Sequence, residues 1–80
     1  TMAETLPLHM LPPGSLARVK ELKAQDNLRR RFLDLGLIKD KLVESLRRSP
    51  SGDPTAYQIR GAVIALRSEE ASKIIVELVK

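Results

Sequence analysis

Residues 26–37 read Asp-Asn-Leu-Arg-Arg-Arg-Phe-Leu-Asp-Leu-Gly-Leu, and in this stretch a start, a face and a stop agree on one helix. Asp26 is a good N-cap, because a short side-chain oxygen can accept from the first free backbone N–H groups. Leu28, Phe32 and Leu35 fall at i, i+4 and i+7, which places them on one apolar stripe. Gly36 stands where a left-handed residue ends a helix. The spacing therefore predicts a helix over 27–35, with the stripe turned inward and Arg29, Arg30 and much of Arg31 turned to water.

To either side of this helix the pattern is that of strands. Pro7, Pro12, Pro13 and Gly14 make residues 6–14 an extended or singly turned lead-in. Residues 16–21 alternate, with Ala17 and Val19 on one face and Arg18 and Lys20 on the other, as in a half-buried strand. After the helix, 41–47 reads as a strand and Ser49–Pro54 as a long loop dense in turn formers. Residues 56–60 alternate again, Gly61 marks a tight reversal, and Val63–Leu66 is apolar on both faces, as expected of the central strand of a sheet.

Ser68 is placed to cap a short helical turn with Glu69 and Glu70 at its positive end, although Ala71 rather than Glu or Gln occupies the third position of a capping box. Residues 74–79 have strand composition. Two readings stay open there, because Ala71, Ile74, Ile75 and Leu78 also suit a period of 3.6 and could extend the last helix in an α+β fold. The reading adopted is a single domain over 1–80, mainly β with short helices. It is a small, strongly bent SH3-like barrel of about five strands, with a helix after the first strand and a helical turn before the last. Residues 1–7 are expected to be flexible at the start, with Thr1 ahead of Met2 a remnant of expression.

Composition narrows function by exclusion. Eighty residues, 42% of them hydrophobic, support one modest core and little volume for a deep catalytic pocket. Absence of Cys removes disulfides, thiolate zinc sites, iron–sulfur clusters and a cysteine nucleophile. The longest apolar run is Ala62–Leu66, far below the ~20 residues of a membrane-spanning helix. No basic stretch followed by an apolar run opens the chain, so a cytoplasmic protein is expected. A net charge of +4 comes from bases interleaved with acids, and only Phe32 and Tyr57 are aromatic, which leaves no stacking platform for nucleic acid. His9 is alone in the Pro-rich lead-in and is expected to be exposed. No phosphate loop, nucleophile elbow or paired-His motif is present, so neither an enzyme nor a high-affinity intrinsic metal site nor a cofactor is expected.

Three stretches resemble the FeoA family of ferrous-iron transport accessory proteins. They are Arg29–Leu37, Arg47–Pro54 and Gly61–Ala71, introduced by a Pro13-Gly14 turn before the first strand. The family often has Pro-Gly after the Gly-Leu pair, whereas this chain has Lys39-Asp40. Asp tolerates turn conformations, so the turn is expected to persist. The resemblance implies an SH3-like barrel that assists ferrous-iron uptake by protein contact with a FeoB-type membrane transporter, whose cytosolic part contains a GTPase domain. It is the source of the link to transition-metal handling. The surface expected to meet that partner comprises Arg29, Arg30 and Arg31 on the helix and Arg47, Arg48 and Asp53 at the loop. The alternative is a detached SH3-like regulatory domain related to metal-dependent transcriptional repressors.

Overall fold

Residues 74–79, ambiguous in period, form a strand with both edges hydrogen-bonded, so their β-branched Ile and Val side chains adopt the conformation in which they lose least freedom. The computed structural model describes residues 5–48 and 53–79. Its elements are β1 (Thr5–Pro7), a 3₁₀ turn (Leu8–Met10), β2 (Leu16–Leu22), α1 (Asp26–Asp34), β3 (Leu42–Arg48), β4 (Thr55–Ile59), β5 (Ala62–Leu66), α2 (Ser68–Ala71) and β6 (Ile74–Val79). The strands make one antiparallel sheet in the order β1-β6-β2-β3-β4-β5. Residues 49–52 of the expected loop and residues 1–4 of the expected flexible lead lie outside the described residues.

Mainly β with two short helices is the expected class, with one strand more than anticipated. The extra strand is β1, drawn from a segment read as lead-in. Pro7 ends it, and a proline is tolerated there because β1 is an edge strand whose partner lies on one side only. A second difference concerns β5. It was expected at the centre of the sheet and lies at its other edge, with Val63 64% exposed. The central places go to β2 and β3, and β2 also pairs with β6 from Leu16 opposite Val79 to Leu22 opposite Ile74, with a bulge at Lys20.

The core gathers Leu8, Leu11, Val19, Phe32, Leu37, Val43, Tyr57, Ile59, Leu66, Ile74 and Val76, with Ala17, Ala24 and Ala71 between them. Tyr57 is buried and its hydroxyl donates to the Leu8 carbonyl at 3.4 Å, which ties the 3₁₀ turn to the sheet. Ser45, on β3 opposite Tyr57, is fully buried, and its Oγ has no hydrogen-bond partner among the described residues.

Helix α1 begins one residue earlier than read. Asp26 is its first residue, at φ 55°, and Gln25 precedes it in the cap position without a side-chain cap bond. Its end follows the expectation closely. The Gly36 N–H donates to the Leu33 carbonyl and the Leu37 N–H to the Phe32 carbonyl, both at 3.0 Å, with Gly36 at φ 97°. This pair of bonds is a Schellman motif, and it buries Phe32 and Leu37 together. A Cβ on Gly36 would stand 3.0 Å from Cδ of Arg60, so the helix end and the β4–β5 turn meet over a hydrogen atom.

The Lys39-Asp40 turn persists. The Lys41 N–H donates to the Ile38 carbonyl at 3.0 Å, with Asp40 at φ 73°, a conformation that costs a residue bearing a Cβ. Asp40→Gly is expected to raise stability by about 0.5 kcal/mol, seen as a rise of about 2–4 °C in the thermal midpoint. Ser45→Ala removes a buried unpaired hydroxyl, so chemical denaturation is expected to show an unchanged or higher stability, by up to about 1 kcal/mol, where most buried truncations lower it.

Candidate functional site

The arginines of α1 are distributed by helical geometry, since residues two apart point to nearly opposite sides. Arg29 faces β2. With Val19, Lys20, Glu21, Leu22, Leu33 and Lys39 it lines a groove of about 290 Å³ between the helix and the strand. Arg31 faces α2 and pairs with the Glu70 carboxylate. Arg30 is exposed between them. The consecutive bases are therefore not one cluster: one belongs to a groove, one to a helix–helix clasp, and one to solvent.

The loop candidates divide as well. Asp53 Oδ1 accepts from the Ser68 N–H at 2.7 Å, so a residue fifteen positions away occupies the first free donor of α2. Ser68, expected to be the cap, is the first helical residue, and Arg67 holds the cap position. Glu70 rather than Ala71 is the third residue, and its carboxylate accepts from the Arg67 N–H at 3.2 Å, one half of a capping box. Arg67 also lies 4.0 Å from Asp53. Helix α2 thus joins Asp53 on one side to Arg31 on the other. Arg47 is exposed on the outer face of β3. Arg48 ends the same strand opposite Thr55, and its side chain is outside the described residues. His9 is half-buried in the 3₁₀ turn rather than exposed.

Several groove residues escaped sequence reading. Lys20 reads as one polar position of an alternating strand, yet the bulge at this residue lets it meet Glu77 at 3.0 Å and Asp40 at 3.5 Å. Glu77 first, and then Asp40, hold the Lys20 ammonium above its ordinary range. Leu33 carried a legible signal. It is a leucine off the buried stripe, and it remains 40% exposed. The site is therefore an apolar floor rimmed by Lys20, Arg29 and Lys39, with Glu21 the only acid among the lining residues. Such a surface suits contact with a polar and apolar protein segment. Among the described residues no three His, Cys, Asp or Glu side chains lie together as metal ligands, and no helix is long and apolar enough to cross a membrane.

A family model described as the FeoA domain matches residues 6–78. The chain belongs to the FeoA family. It is 32% identical over 72 residues to a Fe(2+) transport protein A/Fe(2+) transporter FeoB fusion protein of Porphyromonas gingivalis, a match covering 90% of this chain and 8% of the fusion. The chain thus spans a small part of that relative. Among solved structures it is similar to FeoA of Chlorobium tepidum, at 33% identity and TM-score 0.88 over 94% of this chain and 71% of the other. It is also similar to FeoA of Stenotrophomonas maltophilia, a prokaryotic SH3 domain protein solved with zinc, at 31% identity and TM-score 0.73 over 95% and 89%. The expected SH3-like class holds. A manganese-dependent transcriptional repressor, 21% identical with TM-score 0.85 over 99% of this chain and 44% of its own, shares the fold.

Burial alone would push the Glu70 carboxyl up, but hydrogen bonds from Arg31 and from the Arg67 N–H outweigh it and hold the group below its ordinary range. A depressed carboxyl stabilises the fold fully above the ordinary value of 4.5 and loses that contribution as pH falls through the lower folded value. Glu70→Gln is expected to cost up to about 1 kcal/mol at neutral pH, because the Arg31 side of the pair is half exposed. Denaturation curves of variant and parent should converge at acid pH.

Proposed function

We propose that this FeoA-family chain is a non-enzymatic, cytoplasmic accessory module of ferrous-iron uptake that acts by contact with the FeoB-type membrane transporter. The observation that carries this reading is the fusion relative, in which a stretch similar to this chain is covalently joined to FeoB. Linkage in one polypeptide gives two modules an effective concentration in the millimolar range, which serves a partner that works by touching. The described surface agrees with such a role: it offers an exposed, cationic and partly apolar face and no clustered metal ligands.

The contact face under this reading is the exposed side of α1, with Arg29 and Arg30, together with the adjoining groove floor at Leu33. Arg31 and Asp53 support that face from within, through Glu70 and the Ser68 N–H. Their substitution should disturb α2 before it disturbs a partner. The likeness to repressor domains concerns the fold, and no observation on the α1 face favours a regulatory reading over a transport one.

An isotope-labelled sample of this chain titrated with the cytosolic region of a FeoB-type transporter should show amide shifts concentrated on residues 29–33 and 19–22. Reversing both charges, Arg29→Glu with Arg30→Glu, is expected to weaken binding by about 2- to 30-fold, since exposed pairs contribute about 0.2–1 kcal/mol each. Unchanged affinity with the fold retained would remove this face. Absence of any shift at high partner excess would overturn direct contact with the cytosolic region.

A further inference from the structure

β5 combines the composition of an interior strand with the position of an edge. Ala62-Val63-Ile64-Ala65-Leu66 contains no charge and no proline, the devices by which natural sheets blunt an open edge. Among the described residues no strand pairs with its outer side. The hairpin that leads into it turns through Arg60 at φ 53° and Gly61 at φ 80°, a two-residue reversal that makes Ile59 and Ala62 a hydrogen-bonded pair. Pairing then alternates without a bulge, through Tyr57 opposite Ile64 and Thr55 opposite Leu66. The N–H and C=O groups of Val63 and Ala65 consequently point away from β4, to the side on which no described strand lies.

Charge beside this edge is mainly basic, with Glu44 the acid of the neighbouring cross-strand row Glu44–Gln58–Val63, set behind Gln58. Arg60 lies in the turn at one end and Arg67 follows the other, both exposed, although Arg67 is shared with Asp53 at 4.0 Å. On the outer face Arg47, Ala56 and Ala65 form one cross-strand row, so nothing larger than an alanine methyl separates Arg47 from the edge. A second copy of this chain fits poorly. The antiparallel register that uses all four free groups opposes Val63 to Ala65 of the other copy, and it sets each Arg67 against the other's Arg60–Gly61 turn. On the inner face the half-buried Ile64 offers apolar surface instead.

We propose that the free edge of β5 receives an extended acidic segment of a partner protein as a seventh strand, with acidic side chains on the Arg47 face and apolar side chains on the Ile64 face. Backbone bonds to Val63 and Ala65 supply the register, and the alternation of the segment supplies selectivity. The site shares no residue with the α1 face, so this inference and the proposed transporter contact fail separately.

The test uses the whole labelled chain and two capped octapeptides, one alternating glutamate with valine and one alternating lysine with valine. The glutamate peptide is expected to shift the amides of residues 62–66 most. At saturation, exchange at Val63 and Ala65 should slow by about tenfold or more, as new strand pairing closes these amides. The lysine peptide is expected to bind at least about tenfold more weakly, and added salt should narrow that gap. Val63→Pro deletes one outward N–H without removing a β4–β5 bond, so it should lose the peptide while the Leu66 amide stays protected. If that variant does not fold, Arg67→Glu with Arg47→Glu serves in its place, with binding reduced by about 2- to 30-fold. Equal binding of both peptides, shifts centred elsewhere, concentration-dependent β5 shifts without peptide, or no shift at millimolar peptide would each overturn the proposal.

Discussion

Two aromatic rings, Phe32 and Tyr57, are all that this chain has, and both are buried almost completely. Full burial of a side chain of that size is worth about 1.5–3 kcal/mol, a large share of the stability an 80-residue domain can hold. One ring sits on α1, the longer of the two described α-helices, and the other on β4, so the constraint of covering both draws helix and sheet together. Tyr57 adds a directional restraint through its hydroxyl, which reaches the Leu8 carbonyl and fixes the path of the chain between β1 and β2. The aliphatic core, from Val19 and Val43 to Ile74 and Val76, fills the remaining space between these anchors.

What the anchors leave undetermined is settled at the joints. Gly36, Asp40, Arg60 and Gly61 all have positive φ, and each stands where the chain must reverse in a few residues. The first two deliver the chain from α1 into β3, and the last two fold β5 back on β4. Arg60 lies against Gly36, so the two reversals also meet each other. From this arrangement follow the clasp of Arg31 with Glu70 and the cap of α2 by Asp53. Residues that look like one patch in the sequence thus act partly as mortar, and the exposed remainder is Arg29, on the groove, and Arg30, turned to solvent.

The described surface of this FeoA-family barrel offers a groove beside α1 and two sheet edges. The groove between α1 and β2 is open, mixed in polarity and cationic at the rim. Among the described residues the sheet has edges at β1, which is short and ended by Pro7, and at β5, which carries neither charge nor proline. That asymmetry between the two edges is a property of the tertiary structure, and it directs attention to β5 rather than to β1.

Local features were legible because their causes are local. The helix and its stop needed only the stripe of Leu28, Phe32 and Leu35 followed by a residue free to adopt a positive φ, and the turn at Lys39-Asp40 needed only a residue tolerant of that conformation. Strand content of 74–79 was half legible, since short apolar runs satisfy two periods and pairing with β1 and β2 decides between them. The elements that Arg29 and Arg31 meet, the service of Asp53 to Ser68 and the edge position of β5 were not legible. Each depends on which distant segment arrives alongside, and loop closure and sheet pairing across tens of residues leave no periodic mark on the chain. An uncharged strand reads as central because burial usually explains such composition, and only the strand order shows that here one side of it meets no other strand among the described residues.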